Sequence, residues 1–187
     1  MPKTDFRYRA TSMVRFIDKF TEFIGKTISW LTLLMVVLTF IIVVMRYGFN
    51  FGSIAMQESV IYCHGLVFML GAAYTLKANG HVRVDIFYQK FSKKNQALVN
   101  IFGGIFLLLP VCFFIFFISF GYVSAAWRIL EKSPEAGGLP FVYLNQSYLL
   151  ILAVTLSIQG AAEIGRHLLT LTDDDLEKEP QQNVEIK

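Results

Sequence analysis

Charge is missing from four long stretches of this 187-residue chain: 28–45, 59–76, 97–127 and 141–162 contain no Asp, Glu, Lys or Arg. Pumps, proton-coupled carriers and ion channels need ionisable groups or a broken helix at membrane depth to hold a polar cargo, so the chain is poorly equipped to transport anything alone. Cysteine is also scarce. Cys63 and Cys112 are too few for a disulfide framework or for paired dithiol chemistry, and both read as small buried hydrophobes. Of three histidines only His64 falls at clear membrane depth, because His81 and His167 sit at helix ends. A bis-histidine haem therefore lacks its second ligand, and His64 reads as a hydrogen-bonded residue of a helix bundle. No glycine-rich phosphate loop, zinc-ligand spacing, nucleophile elbow or internal repeat occurs, so neither a metal nor a cofactor is expected.

Apolar residues are abundant. Hydrophobic residues make up 55% of the chain, 18 of its residues are Phe, and the mean hydropathy is +0.52. A soluble domain of this size has no interior for so many aromatics, and the class is an all-α integral membrane protein. Eighteen residues separate Glu58 from Lys77, and as a helix they reach ~27 Å, close to the hydrocarbon thickness. The other charge-free stretches also suffice to cross, giving four transmembrane helices at about 28–45, 59–76, 97–127 and 141–162.

The basic residues set the expected orientation. Six precede the first span (Lys3, Arg7, Arg9, Arg15, Lys19, Lys26) and five follow the second (Lys77, Arg83, Lys90, Lys93, Lys94). The first loop has only Arg46, the third only Arg128 and Lys132. Both termini are expected in the cytoplasm, with the basic segments against anionic membrane lipid. The first span lacks a small-residue cleavage pattern and reads as an uncleaved signal anchor. The net charge of +3 averages a basic start and an acidic tail, and points to no nucleic acid.

Residues 1–26 form a separate segment in this reading. Met13, Phe16, Ile17, Phe20, Phe23 and Ile24 recur at helical spacing opposite Arg15, Asp18, Lys19, Glu22 and Lys26, which predicts an amphipathic interfacial helix jointed to the first span at Gly25. The alternative is a continuation of the first span into the cytoplasm. Residues 27–171 form the transmembrane domain, and the acidic stretch 172–187 reads as a disordered tail. The third span is too long for the bilayer and carries Pro110, which predicts a bend near Phe106. Small residues, among them Gly71, Ala72, Ala73, Gly121, Ala125, Gly160 and Ala161, allow close helix approach and a four-helix bundle. Arg46 and Glu58 bracket the first loop and are placed to pair across it. His81, Arg83 and Asp85 read as structural anchoring rather than catalysis.

In their order these motifs resemble the small membrane subunit of TRAP (tripartite ATP-independent periplasmic) transporters. The pattern comprises Arg46-Tyr47 after the first span, Glu58 opening the second, Leu70-Gly71-Ala72-Ala73 within it, Gly80-His81-Val82-Arg83-Val84-Asp85 at its end, the loop Ser133-Pro134-Glu135-Ala136-Gly137-Gly138-Leu139-Pro140, and Gln159-Gly160 late in the fourth. The likeness covers residues 13 to 170. The family often enters the second span with a tryptophan and two adjacent acidic residues. This chain has Ala55, Met56, Gln57 and Glu58 there, so only Glu58 carries over. The resemblance implies a non-catalytic scaffold of a sodium-driven organic-acid importer in the bacterial inner membrane. Its implied partners are a large membrane transport subunit and a periplasmic substrate-binding protein. The resemblance places interface residues at Arg46, Tyr47, Glu58, Gly71, His81, Arg83, Asp85, Glu135 and Gly160. The rival class is a membrane anchor of a haem or quinone redox complex.

Overall fold

An apolar stretch that leaves water can satisfy its backbone groups alone only as an α-helix, and the chain is helical almost throughout. The computed structural model describes residues 2–80, 88 and 90–182, with side chains over 7–80, 88 and 90–172. Its elements are α1 (Pro2–Gly48), α2 (Ile54–Lys77), α3 (Lys93–Gly103), a π turn (Gly104–Leu108), α4 (Leu109–Ile129) and α5 (Val142–Gln182), with no strand among the described residues. α3, the π turn and α4 form one continuous rod. The result is four rods, each long and apolar enough to cross a membrane.

Local chemistry starts and stops these helices. The Ser53 hydroxyl accepts the Met56 N–H at 3.4 Å to cap α2, and Ser92 does the same for Asn95 at the start of α3. α4 ends where Leu130 turns left-handed, at φ 48°, and returns its N–H to the carbonyls of the last turn. Pro110 perturbs its rod as expected, in the form of the π turn just before it. Leu109 donates to Gly104 O, five residues back, so the ladder is reset one residue before the proline that cannot donate.

Three expectations change. α1 runs unbroken through Gly25, so residues 7–26 are the lower part of one long rod and not a separate interfacial helix. Gly25 is instead a point of close approach, where a Cβ would lie 2.5 Å from Cγ of Tyr74 on α2. α5 keeps its helical backbone through Gln182, well past the start of the expected tail. Glu, Lys and Leu after Thr172 are good helix formers, and the preceding turns supply the nucleus. The spans also do not close into a four-helix bundle. α5 is the hub: α1, α2 and α5 pack mutually, while α3 and α4 lean on α5 without comparable contact to α1 or α2.

Along α1 the residues turned inward are Thr21, Ile24, Ile28, Leu31, Met35, Leu38, Ile42 and Met45, separated alternately by three and four positions. That seam runs antiparallel to α2, as the contacts of Gly25 with Tyr74 and of Ile28 with Gly71 show. The opposite face of α1 is exposed, including Trp30, Val36 and Phe40. The start of α1 and the far end of α5 lie at one end of the molecule, the terminal end. Loops 49–53 and 130–141 lie at the other, the loop end.

Candidate functional site

Two polar assemblies, one at each end of the spans, tie the helices together. At the terminal end Gln159, Glu163 and Arg166 fall on one stripe of α5 at spacings of four and three, and Asp18 and Thr21 face them from α1. Gln159 is fully buried. Its amide oxygen accepts from the Thr21 hydroxyl at 2.8 Å, and its amide nitrogen donates to Asp18 Oδ1 at 3.1 Å and to Glu163 Oε1 at 3.4 Å. Arg166 completes the ring, donating to Asp18 Oδ2 at 2.7 Å and to both oxygens of Glu163 at 2.8 and 2.9 Å. Asp18 and Glu163 keep only 19% and 14% of their side-chain surface, so the guanidinium is what makes two carboxylates tolerable side by side.

A second link joins α1 to α2 at about the same level. Lys77 bonds Glu22 at 2.7 Å, and Lys26, one turn further along α1, bonds the other carboxylate oxygen at 2.7 Å. Hydrogen bonds from Lys26 and then Lys77 hold the Glu22 carboxyl down at about 2. On the far side of α5, Asn100 of α3 donates to the Tyr88 hydroxyl at 2.7 Å and meets His167 Nε2 at 3.1 Å.

At the loop end the centre is Glu58, in the first turns of α2. One carboxylate oxygen accepts from the Ser133 hydroxyl, and the other accepts the Leu139 N–H at 2.5 Å. The loop is braced internally as well: Ser133 N–H donates to Leu139 O at 3.1 Å, Glu135 N–H to Ser133 Oγ at 3.2 Å, and Gly138 N–H to Glu135 O at 3.0 Å. Gly137, at φ +82°, supplies the turn that side chains resist. Below it Gln146 donates to Glu131 at 2.8 Å, and Trp127 donates to Ser147 at 2.8 Å with its ring edge-on to Tyr143. α2, α4 and α5 thus converge on one folded loop.

The sequence-derived candidates separate accordingly. Glu58 is central, but it clamps the 131–140 loop and does not pair with Arg46; among the described residues Arg46 makes no ion pair and is exposed, as is Tyr47. Glu135 enters the loop through its backbone, with its side chain exposed. Gly160 is a true close contact, since a Cβ there would lie 2.5 Å from Leu108 Cδ2, whereas at Gly71 the nearest atom is Ile28 Cδ1 at an ordinary 3.8 Å. His81, Arg83 and Asp85 lie outside the described residues. His64 is not a bundle histidine: it is exposed on the outer side of α2, with its ring stacked on Phe68 at 6.3 Å. Sequence reasoning missed the partners Asp18, Thr21, Glu163 and Arg166. The i, i+4, i+7 stripe of Gln159, Glu163 and Arg166 was the available signal.

Residues 35–170 match the family described as tripartite ATP-independent periplasmic transporters, DctQ component. The chain belongs to this family. A curated protein of Haemophilus influenzae (strain ATCC 51907 / DSM 11121 / KW20 / Rd), whose name places it among TRAP transporter small permease proteins, is 34% identical over 98 residues. That stretch covers 52% of this chain and 59% of the relative, less than two thirds of its length. No solved structure matches the chain. The four rods and the DctQ assignment together make it a multi-pass membrane component of a transporter. The DctQ match contains the whole loop-end clamp and the α5 side of the terminal-end ring; Asp18, Thr21 and Glu22 lie before it.

Proposed function

We propose that this DctQ-family chain is the non-catalytic scaffold subunit of a sodium-driven, binding-protein-dependent importer of organic acids, packed against a large transport subunit in the inner membrane of a bacterium. In this reading the terminal end faces the cytoplasm and the loop end the periplasm, where a substrate-binding protein docks on the assembled complex. The observation that carries it is the employment of the ionisable groups at the span ends. Asp18, Glu22, Glu58, Lys77, Glu163 and Arg166 are all engaged in holding one helix or loop to another. A carrier keeps such groups available to a cargo or coupling ion; here they are committed to the frame.

The test is reconstitution. Proteoliposomes holding this chain with the large permease and supplied with the binding protein should accumulate an organic acid when a sodium gradient is imposed. Vesicles holding this chain alone should not. Uptake by this chain alone would overturn the scaffold reading, and a haem absorbance band on the purified chain would favour the redox-anchor alternative.

A further inference from the structure

A hydroxyl on the outward face of these rods can bond the helix that carries it, whereas the His64 imidazole makes no such bond. The hydroxyl of Thr39 on α1 bonds Met35 O at 2.7 Å, and that of Ser124 on α4 bonds Phe120 O at 2.7 Å. Each is satisfied by its own helix and can face hydrocarbon at little cost. An imidazole has a donor and an acceptor nitrogen. Among the described residues no polar group reaches either nitrogen of His64, whose neighbour is the Phe68 ring.

His64 also lies inside the second span, in its loop-end half. It stands six positions after Glu58 and thirteen before Lys77, so along the helix it lies ~9 Å from the loop-end carboxylate and ~20 Å from the terminal-end lysine. Gln57, Ile61, His64 and Phe68 are the exposed positions of this helix before its final turns, spaced four, three and four, and they form one stripe facing away from both α1 and α5. Ile61 and Phe68 are 58% and 65% exposed. Lipid tails cover such a stripe well except at its centre, where they offer an imidazole neither donor nor acceptor.

We infer that the α2 stripe of Gln57, Ile61, His64 and Phe68 is the docking surface for a transmembrane helix of the large subunit, one that presents a polar group to His64 in the loop-end half of the bilayer. The inference rests on the scaffold reading above and adds the face and the chemistry of the contact. Ile61 and Phe68 supply the apolar flanks, and the imidazole supplies register and selectivity, because a helix with no polar group at that depth leaves its two nitrogens unmatched.

The experiment uses the full chain co-expressed with the large permease. A photo-crosslinking residue is placed at Ile61 or Phe68 and, as controls on another exposed face, at Val36 or Phe40 of α1. The α2 positions should cross-link to the permease. In parallel, His64→Leu should lower the permease recovered with the tagged chain by about threefold to thirtyfold, the range an interhelical hydrogen bond in lipid supplies, and His64→Gln should restore most of it. Because His64 is exposed, the yield of the chain itself should not change. Cross-links to permease from α1 with none from α2, lipid adducts alone at Ile61 and Phe68, or full recovery with His64→Leu would each overturn the inference while leaving the scaffold reading intact. A wild-type chain that recovers no permease would overturn both.

Discussion

Thr21 and Gln159 stand 138 residues apart in sequence and meet through a 2.8 Å hydrogen bond that is closed to solvent. The bond sets the height of α1 against α5 and orients the amide so that its nitrogen points at Asp18 and Glu163. An amide has both polarities, and this position uses both.

Gln159→Leu should therefore be costly although it removes no charge. It leaves the Thr21 hydroxyl without its acceptor and takes one donor from Asp18, a loss of about 2 kcal/mol for buried groups left unsatisfied. The detergent-solubilised chain should unfold at a lower temperature, followed by size-exclusion chromatography after heating. Pairing the change with Thr21→Val should cost less than the sum of the two single changes. Strict additivity would show that the two side chains do not interact.

Glu58→Ala should loosen the 131–140 loop without disturbing the spans, because two of the loop's contacts with α2 converge on that carboxylate. Limited proteolysis should cut the loop roughly tenfold faster, in keeping with the loss of charge-assisted hydrogen bonds. Glu58→Gln should fall between, since one face of the amide still accepts while the other presents N–H to a donor. Equal cutting of all three chains would remove Glu58 from this role.

Three glycines should respond differently to alanine. At Gly71 the added methyl meets Ile28 Cδ1 at an ordinary 3.8 Å, so the helix-propensity gain of up to about 1 kcal/mol should show as a neutral or stabilising change. At Gly160 the clash is with the end of a flexible leucine, which can shift at modest cost. At Gly25 the methyl meets Tyr74 at its Cβ and Cγ, where the side chain cannot swing aside, and Gly25→Ala should lower the amount of folded chain most. Membrane yields ranked Gly71→Ala, Gly160→Ala, Gly25→Ala from highest to lowest are the expected outcome.

Single cysteines at Phe51 and Glu135 should react with a membrane-impermeant thiol reagent added to intact spheroplasts, and one at Lys93 only after lysis. The basis is the crowding of Lys and Arg at the terminal end. Labelling of position 93 from outside would invert the orientation.

The four crossings were legible because hydrocarbon thickness translates directly into residue count, and 28–45, 59–76, 97–127 and 141–162 satisfy it without reference to any partner. The importance of Glu58 was legible as an acidic residue opening a span, but not its partners: Ser133 and Leu139 are brought to it by the fold of a distant loop. Gly25 was misread because a glycine inside a helical pattern suggests a joint, when in a packed rod it is equally a place for a neighbour's ring. The ring around Gln159 stayed hidden for a related reason. Asp18 lies on what reads as a solvated face until α5, long enough to continue past the span, lies against it.

The inward seam of α1, from Thr21 to Met45, repeats every seven residues, and a straight α-helix falls about 20° out of phase with such a repeat at each heptad. A seam of that repeat stays on a neighbouring helix when the two wind about each other with a left-handed twist. Sliding α1 along α2 then also rotates it, as a screw turns when it advances. Any displacement imposed on the aromatic-studded lower part of α1 would reach Arg46 and Tyr47 at the other end as a change of bearing as well as of height.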